Sequence, residues 1–258
     1  MKAQLTLHPD YGFLEKWIKS LPQTYNTQGH VIIDGRNRVS DVEVDGRRYV
    51  IKYFNRITVF NRYIYRFLRA SKGQRAYDNA LVLLSNGIST PFPVANLDVY
   101  EHGKLTHNFF VSRHVDYPSA YDLMSRPFQE IETELKALAA FLYRLHRLGI
   151  FHADLNLTNV MYCNTAQGIE FCLIDNNRIR FRPYTRRRAL RNLRRLQMPL
   201  VNYAAFVDEY AHQSNQDVFK TFGMTMFYRE ANREFRKMRQ SLKRWFLGKI
   251  KIQKVKTF

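Results

Sequence analysis

The sequence is poor in cysteine and has no long apolar run. Only Cys163 and Cys172 occur among 258 residues, so a disulfide scaffold is excluded and a reduced, cytosolic protein is expected. No uninterrupted apolar run reaches the roughly 18 residues that a membrane helix needs, and residues 1–10 lack the features of a secretory signal. The hydrophobic content of 45% fits a folded globule with a sizeable core.

Acidic residues are also scarce. The chain has 41 Lys and Arg against 22 Asp and Glu, which gives a formal net charge of +19. A surface of this charge attracts the phosphates of nucleic acid, an anionic membrane or a phosphorylated substrate. The excess is uneven, because Arg178 to Arg195 holds nine arginines and no acid, and Arg233 to Lys256 is also basic. A solvated face explains many charge runs, but nine arginines this near the candidate catalytic residues favour anion binding.

The chain also lacks internal repeats, low-complexity linkers and Pro- or Gly-rich boundaries. Its first part is predicted to be rich in strands. Predicted strands cover Gly29 to Asp34, Val39 to Val44, Arg47 to Phe54 and Phe109 to Val115, with a hairpin turn at Asp45-Gly46. Predicted helices cover Phe60 to Ala70 and Ser71 to about Ser85.

The second part reads as mainly helical. Leucine and isoleucine recur every three or four residues from Gln129 to Leu148, which predicts a long amphipathic helix that Gly149 ends. Val160 to Cys163 and Ile169 to Ile174 predict a small hairpin, and the remainder is predicted to be helical. The fold class is therefore α+β and bilobal, with a β-rich lobe over residues 1–115 and a mainly helical lobe over residues 116–258.

The strongest chemical pattern follows the long helix and reads His152-Ala153-Asp154-Leu155-Asn156-Leu157-Thr158-Asn159. Phosphoryl transfer needs a carboxylate to accept the proton of the attacking hydroxyl and oxygen ligands to hold Mg²⁺ against the phosphates of ATP. Asp154 fits the first role. Asn159, five residues later, and Asp175, at the end of the hairpin, fit the second. His152 is expected to brace the loop.

A lysine in a predicted strand of the first lobe is the second element. Lys52 lies in the β-prone run Tyr49 to Tyr53, from which a lysine can reach the α- and β-phosphates of a nucleotide. A surface lysine is the plain alternative, but the downstream loop favours the ATP-binding role.

These residues resemble the catalytic core of protein-kinase-like enzymes. The finer resemblance, over roughly Ile33 to Arg182, is to lipopolysaccharide core kinases, the heptose and Kdo (deoxy-octulosonic acid) kinases of Gram-negative bacteria, in a Bacteroides-type branch. It rests on Asp154-Leu155-Asn156 in place of Asp-Leu-Lys, on the absence of Phe-Gly after Asp175, and on the segments Ser71 to Tyr77 and Gly87 to Pro93. The resemblance implies a protein-kinase-like fold, ATP and Mg²⁺ as cofactors, and an anionic glycolipid acceptor at the inner face of the cytoplasmic membrane.

The sequence departs from the kinase pattern at two places. It lacks a Gly-x-Gly-x-x-Gly loop, and Arg36, in Gly35-Arg36-Asn37-Arg38, is expected to contact phosphates by charge instead. It also lacks the glutamate that pairs with the strand lysine. Asp78 is the nearest acidic candidate for that pair, while counting back from Gly87 places Ala76 at the same position.

The remaining site residues complete the expected pocket. Ser112 to Val115, including His114, is the expected hinge for adenine, and Arg178, Arg186, Arg187 and Arg188 are expected to bind the acceptor. Two other functions compete with the glycolipid kinase. An atypical protein kinase is disfavoured by Asn156 and by the lack of an Ala-Pro-Glu segment. A nucleic-acid-binding protein is disfavoured because a pure binder has no need of catalytic residues, so no nucleic-acid partner is expected.

Overall fold

The computed structural model describes residues 2–35, 37–55 and 70–255, and within them the side chains of residue 243 and residues 245–255 are not described. The chain forms two compact units. The first combines Met1–Asp122 with Thr158–Arg180, and the second combines Leu123–Leu157 with Phe181–Phe258. Each compact unit is therefore built from two stretches of chain. The single boundary that the sequence suggests between residues 115 and 116 stays a prediction.

A six-stranded antiparallel sheet dominates the first unit, with strand order β1-β5-β6-β4-β3-β2. Its strands are β1 (Lys2–Leu7), β2 (His30–Asp34), β3 (Arg38–Val44), β4 (Arg47–Tyr53), β5 (Pro93–Glu101) and β6 (Lys104–Arg113). The predicted Asp45-Gly46 turn joins β3 to β4, and both of its residues have positive φ, 50° and 69°. That pair of angles suits the tight turn of a twisted hairpin.

Two α-helices lie in the described part of the first unit. Helix α1 (Glu15–Thr24) buries Ile18 and Leu21 in the apolar core of the sheet, alongside Ile51 and Val111. Helix α2 (Lys72–Ser85) begins after Ser71, whose hydroxyl accepts a hydrogen bond from the backbone N–H of Gln74 at 3.0 Å. Such a cap satisfies one of the free N–H groups at a helix start.

The second stretch of the first unit contains a small hairpin, made of β8 (Val160–Thr165) and β9 (Gly168–Leu173). Val160 pairs with Leu173, and Thr165 pairs with Gly168. Cys163 and Cys172, on these two strands, are both free thiols, and Cys172 is buried.

The second unit is mainly helical. It contains α3 (Phe128–Arg147), β7 (Ile150–His152), α4 (Arg186–Leu193), α5 (Leu200–Gln213) and α6 (Val218–Val255), while β10 (Ile179–Phe181) precedes α4. Gly149 ends the α3 region with φ of 73°, and a Cβ there would lie 2.6 Å from the Arg182 carbonyl oxygen. Glycine is the residue that fits a left-handed position with so close a neighbour.

The predicted α+β elements are present, with shifts of a few residues at their ends. The sequence missed β1, β5 and α1 as separate elements, and the helix predicted over Phe60 to Ala70 lies, apart from Ala70, outside the described residues. No helix within the described ranges is long and apolar enough to span a bilayer.

Candidate functional site

Lys52 lies on a central strand of the six-stranded sheet, where its neighbours across the sheet are Val39 on β3 and Phe110 on β6. Its ammonium forms an ion pair with Asp175 Oδ1, and the two side chains are only 19% and 18% exposed. The fold therefore brings together two residues that lie 123 positions apart and that the sequence assigns to ATP and to Mg²⁺.

Asp175 adopts the left-handed conformation, with φ of 61° and ψ of 42°. A non-glycine residue held there is strained, and such strain is concentrated at functional sites. The preceding residue fixes its position, because the Ile174 N–H donates to the Asn159 carbonyl at 3.0 Å. Asn159 and Asp175 thus lie at the same end of the β8–β9 hairpin. Their amide and carboxylate oxygens are the hard ligands that Mg²⁺ prefers.

Two residues that follow Asp175 also face its carboxylate. Asn177 donates from Nδ2 to Asp175 Oδ1 at 2.8 Å. Arg178, one of the predicted acceptor-binding arginines, lies with Nε 3.9 Å from Asp175 Oδ2. Three side chains with N–H donors, including Lys52, therefore surround this carboxylate.

The turn after Asp175 is anchored by buried polar groups that the sequence reading missed. Asn176 is 4% exposed, and its Nδ2 donates to the Thr90 hydroxyl at 2.6 Å. That hydroxyl donates to the Leu173 carbonyl at 2.7 Å, and Asn79 Nδ2 on α2 donates to the Asn176 carbonyl at 2.7 Å. Helix α2 is thereby tied to the proposed metal-ligand loop by a neutral amide.

The predicted partnership of Lys52 with Asp78 is not formed in this structure. The Asp78 carboxylate accepts instead from Gln74 Nε2 at 2.8 Å, one turn earlier on α2. Ala76, the other candidate position, is buried against Phe54. Asp78 is exposed, and the partner of Lys52 is Asp175.

The predicted hinge lies at the end of β6. Ser112 is buried at 5% exposure and pairs with Val50 on β4. The His114 N–H donates to the Arg48 carbonyl at 3.1 Å, and its ring Nε2 lies 3.1 Å from Arg48 Nη2. The His114 N–H, which the prediction assigned to adenine binding, therefore forms a backbone hydrogen bond to β4. Arg36, the predicted phosphate-contacting residue, lies outside the described residues.

The loop that carries Asp154 belongs to the second unit and is braced by His152. The His152 side chain is 2% exposed, and its Nδ1 accepts from the Asp154 N–H at 3.2 Å. Its carbonyl accepts from the Leu155 N–H at 3.2 Å. Asn156 folds back over the loop, with Nδ2 donating to the Asp154 carbonyl at 3.3 Å. The Asp154 backbone is thus held by its neighbours.

A chain of buried and half-buried hydrogen bonds connects this loop to α4. Asn192 Nδ2 donates to the His152 carbonyl at 3.0 Å, and Asn192 Oδ1 lies 3.1 Å from His146 Nε2. Burial lowers the pKa of His146 to about 4, so its ring is neutral at pH 7. Its Nε2–H then donates to Asn192, and its Nδ1 accepts from the Tyr210 hydroxyl at 2.8 Å.

Arg195, two residues after the end of α4, forms an ion pair with Asp154 Oδ1. In the sequence, Arg195 is one of the nine arginines of the basic run, and nothing in its position there predicts an individual role. The neighbouring Leu193 and Leu196 are fully buried, so the backbone that carries Arg195 is fixed by packing on both sides.

The predicted acceptor-binding arginines fall in both units, Arg178 in the first and the other three on α4 in the second. Arg186 Nη2 lies 3.5 Å from the Thr221 hydroxyl on α6. Arg188 donates to the Pro183 carbonyl, and its guanidinium lies 5.8 Å from the centre of the Phe151 ring. Arg187 is exposed. Within the second unit, the start of α4 therefore contacts the chain just before Asp154.

No group of three or more His, Cys, Asp or Glu side chains that could hold a metal ion is found where the structure is described. The proposed Mg²⁺ ligands form a set of one carboxylate and one amide. That set suits an ion whose remaining ligands are phosphate oxygens and water.

The chain is similar to known proteins in sequence family and in fold. The model of the lipopolysaccharide kinase (Kdo/WaaP) family matches residues 26–222. The solved structure of WaaP in complex with acyl carrier protein is similar over 90% of this chain and 98% of that chain, with a TM-score of 0.61 and 16% identity. A MAP kinase from Leishmania major overlaps with a TM-score of 0.42 and 15% identity, over 82% of this chain and 65% of its own. No curated protein sequence matches. The predicted kinase-like α+β fold is confirmed by the likeness to WaaP.

Proposed function

Because the chain belongs to the lipopolysaccharide kinase (Kdo/WaaP) family, we propose that it transfers the γ-phosphate of ATP to a sugar hydroxyl of the lipopolysaccharide inner core, on Kdo or heptose. Membership makes it a phosphotransferase with an alcohol group as acceptor. The observation that carries the proposal is the family match over residues 26–222, which contains Lys52, Asp154, Asn159 and Asp175.

The proposed chemistry assigns one role to each of these residues. The oxygen of the acceptor hydroxyl attacks the γ-phosphorus, and Asp154 accepts the proton of that hydroxyl. The bond between the γ-phosphorus and the bridging oxygen breaks, and the bridging oxygen leaves with ADP. Lys52 contacts the α- and β-phosphates. Asn159 and Asp175 would hold Mg²⁺, which supplies charge neutralisation for the phosphates when bound. Lys52 and Asp175 form an ion pair with each other, so the two proposed phosphate- and metal-binding groups lie side by side.

The proposed acceptor is an anionic glycolipid, and the basic surface fits it. Arg178, beside Asp175, and Arg186, Arg187 and Arg188, on α4, offer guanidinium groups suited to phosphate and carboxylate oxygens. We place the enzyme at the inner face of the cytoplasmic membrane, where such an acceptor and anionic lipid headgroups are both present. The net charge of +19 supports that placement.

Turnover of ATP with different acceptors tests the proposal. The purified chain is given ATP, Mg²⁺ and, in separate reactions, dephosphorylated inner-core oligosaccharide, a basic protein substrate, or nucleic acid. We expect phosphate transfer to the oligosaccharide alone. Transfer to protein with none to sugar would favour an atypical protein kinase, and binding to nucleic acid without any transfer would favour the non-enzymatic alternative.

The arginines of α4 are tested separately. Replacing Arg186, Arg187 and Arg188 with Ala is expected to raise KM for the acceptor by at least tenfold, since each charge-assisted hydrogen bond contributes roughly 1.5–3 kcal/mol. KM for ATP should change little. If the triple variant keeps the wild-type KM for the acceptor, these arginines form a solvated face only.

A further inference from the structure

Helix α6 carries an exposed apolar stripe. It spans Val218–Val255, and its exposed large apolar side chains include Phe227, Phe235, Met238 and Leu242, each 49–68% exposed. At about 100° per residue, these four side chains fall within an arc of about 80°. Apolar residues this exposed, aligned along one helix face, mark an interaction surface.

The first turns of α6 are fixed to the second unit by a different face. Thr221 and Thr225 are fully buried, and Arg229 Nη2 donates to the Met198 carbonyl at 2.8 Å. From Arg233 to Leu242, by contrast, every residue is exposed. This part of α6 therefore continues beyond its packing partners with its apolar stripe uncovered.

The charge around the stripe is positive. Residues 227–258 contain eleven Lys and Arg against two acids, Glu230 and Glu234, and both acids lie before residue 235. Among the described side chains, Arg236 and Arg239 lie on the circumference of α6 outside the stripe, while Lys237 is ion-paired to Glu234 at 2.7 Å. A basic helix with one apolar face is typical of segments that lie in the interface of an anionic bilayer.

We propose that the stripe of α6 (Phe227, Phe235, Met238 and Leu242) binds the surface of an anionic lipid bilayer. The apolar side chains insert among the headgroups, and the surrounding Lys and Arg contact lipid phosphates. The same charge would repel a second copy of the chain, and nucleic acid would leave the apolar stripe unused. The proposal rests on the proposed function only in that a membrane-bound acceptor gives the contact a purpose.

Vesicle co-sedimentation without ATP or acceptor tests the proposal independently of catalysis. The full chain is mixed with vesicles of phosphatidylglycerol and phosphatidylcholine, or of phosphatidylcholine alone, at low and high salt. The variant carries Phe235→Gln, Met238→Gln and Leu242→Gln, which remove apolar surface and keep helix-forming residues. The matched control is Phe219→Gln, because Phe219 is 88% exposed on the same helix but lies about 80° outside the stripe.

We expect the wild type to bind anionic vesicles, to bind neutral vesicles at least tenfold less, and to lose binding as salt rises. The triple variant should bind anionic vesicles at least tenfold less, and the Phe219 variant within about twofold of wild type. Equal binding by the triple variant would overturn the proposal, as would a wild type that binds no anionic vesicles. A wild type that dimerises in solution through these three residues would assign the stripe to a second copy instead. If the chain binds vesicles but phosphorylates no sugar, the proposed function is refuted and the proposal that the stripe binds a bilayer is not affected.

A second inference rests on Arg195 and on the proposed function. In the loop that carries Asp154, the residue two positions later is Asn156, which has no charge. A positive charge comes instead from Arg195, whose guanidinium forms an ion pair with the Asp154 carboxylate. An attacking hydroxyl must approach both that carboxylate and the γ-phosphorus, at roughly 3–3.5 Å in a reactive geometry. A guanidinium has five N–H donors, so it can bind Asp154 and a phosphoryl oxygen together.

We infer that Arg195 is a further catalytic residue that contacts the transferred phosphoryl group, in the manner of an arginine finger supplied by the enzyme's own chain. Arg195→Ala is expected to lower kcat at least a hundredfold with KM for ATP nearly unchanged, and added guanidinium should restore part of the rate. Arg195→Lys should recover only part of the loss.

The control is Arg126→Ala, which removes an arginine of similar exposure, 41% against 36%, from ion pairs with Glu130 and Glu134 in the same unit. It should leave kcat within about twofold of wild type. A fall of less than threefold for Arg195→Ala would overturn the inference, and so would a loss that lies in KM for ATP rather than in kcat. Activity of the wild type reports on the proposed function, while the ratio of variant to wild type reports on Arg195.

Discussion

Removal of the Lys52 charge separates nucleotide binding from fold stability. Lys52→Met keeps the apolar stem near the Phe54 ring, whose centre lies 5.5 Å from the ammonium, and deletes the charge. A hydrogen bond to a charged group contributes roughly 1.5–3 kcal/mol. Loss of one phosphate contact should therefore lower kcat/KM for ATP roughly 10- to 150-fold, with KM raised and turnover lowered.

The structure also sets the effect of this variant on stability. Asp175 loses its lysine but keeps Asn177 at 2.8 Å and Arg178 at 3.9 Å. Because Lys52 and Asp175 are still 19% and 18% exposed, the free energy of unfolding should fall by about 1 kcal/mol, nearer to an exposed pair than to the roughly 3–5 kcal/mol of a broken buried one.

Initial rates at varied ATP and urea unfolding measure the two effects. The matched control is Lys72→Met, because the Lys72 ammonium lies at the same 5.5 Å from the Phe54 ring. The control should retain wild-type kinetics for ATP. If kcat/KM for ATP in Lys52→Met stays within threefold of wild type, or if the control loses as much, another cation holds the phosphates.

Three further variants test other parts of the first unit. Asp175→Asn should abolish turnover and weaken Mg²⁺-dependent ATP binding in calorimetry; unchanged binding would remove it from the metal site. Asp78→Ala should leave ATP kinetics close to wild type, since Asp78 contacts Gln74 in this structure; a loss as large as that of Lys52→Met would restore it as the lysine's partner. Burial raises the pKa of Asp98 from 3.8 to about 6, so the folded chain retains a proton there that the unfolded chain releases, and stability falls as pH rises from about 4 to 6. Asp98→Asn should therefore gain up to about 3 kcal/mol relative to wild type between pH 4 and pH 7 in urea unfolding, and a difference that does not change with pH would contradict this.

Local structure could be predicted where short-range patterns determine it. The Asp45-Gly46 turn and the apolar spacing of α3 depend on neighbours a few residues away, so they were visible in the sequence. Strand β1 was not, because Lys2–Leu7 pairs with a strand about ninety residues later and only that pairing makes it a strand. β-propensity depends strongly on such partners.

The candidate site divides in the same way. The types and spacing of Asp154, Asn159 and Asp175 pointed to phosphoryl transfer, and their catalytic roles stay predictions. The partners that position these residues were invisible, because Asn79–Asn176 and Arg195–Asp154 join residues 97 and 41 positions apart. Asparagine and arginine at such positions look like ordinary surface residues until the fold brings them together.

The most direct test of the central claim is the mass of lipopolysaccharide from a strain lacking this gene, complemented with the wild-type gene or with Asp154→Asn. Asp154→Asn keeps the size of the side chain and removes the proposed base, and the loss of a general base typically costs about 10²–10⁴-fold in rate. We predict an inner core that lacks one phosphate in the deletion strain, its return with the wild-type gene, and no return with Asp154→Asn at equal protein level. An inner core of unchanged mass in the deletion strain, or full restoration by Asp154→Asn, would contradict the assignment.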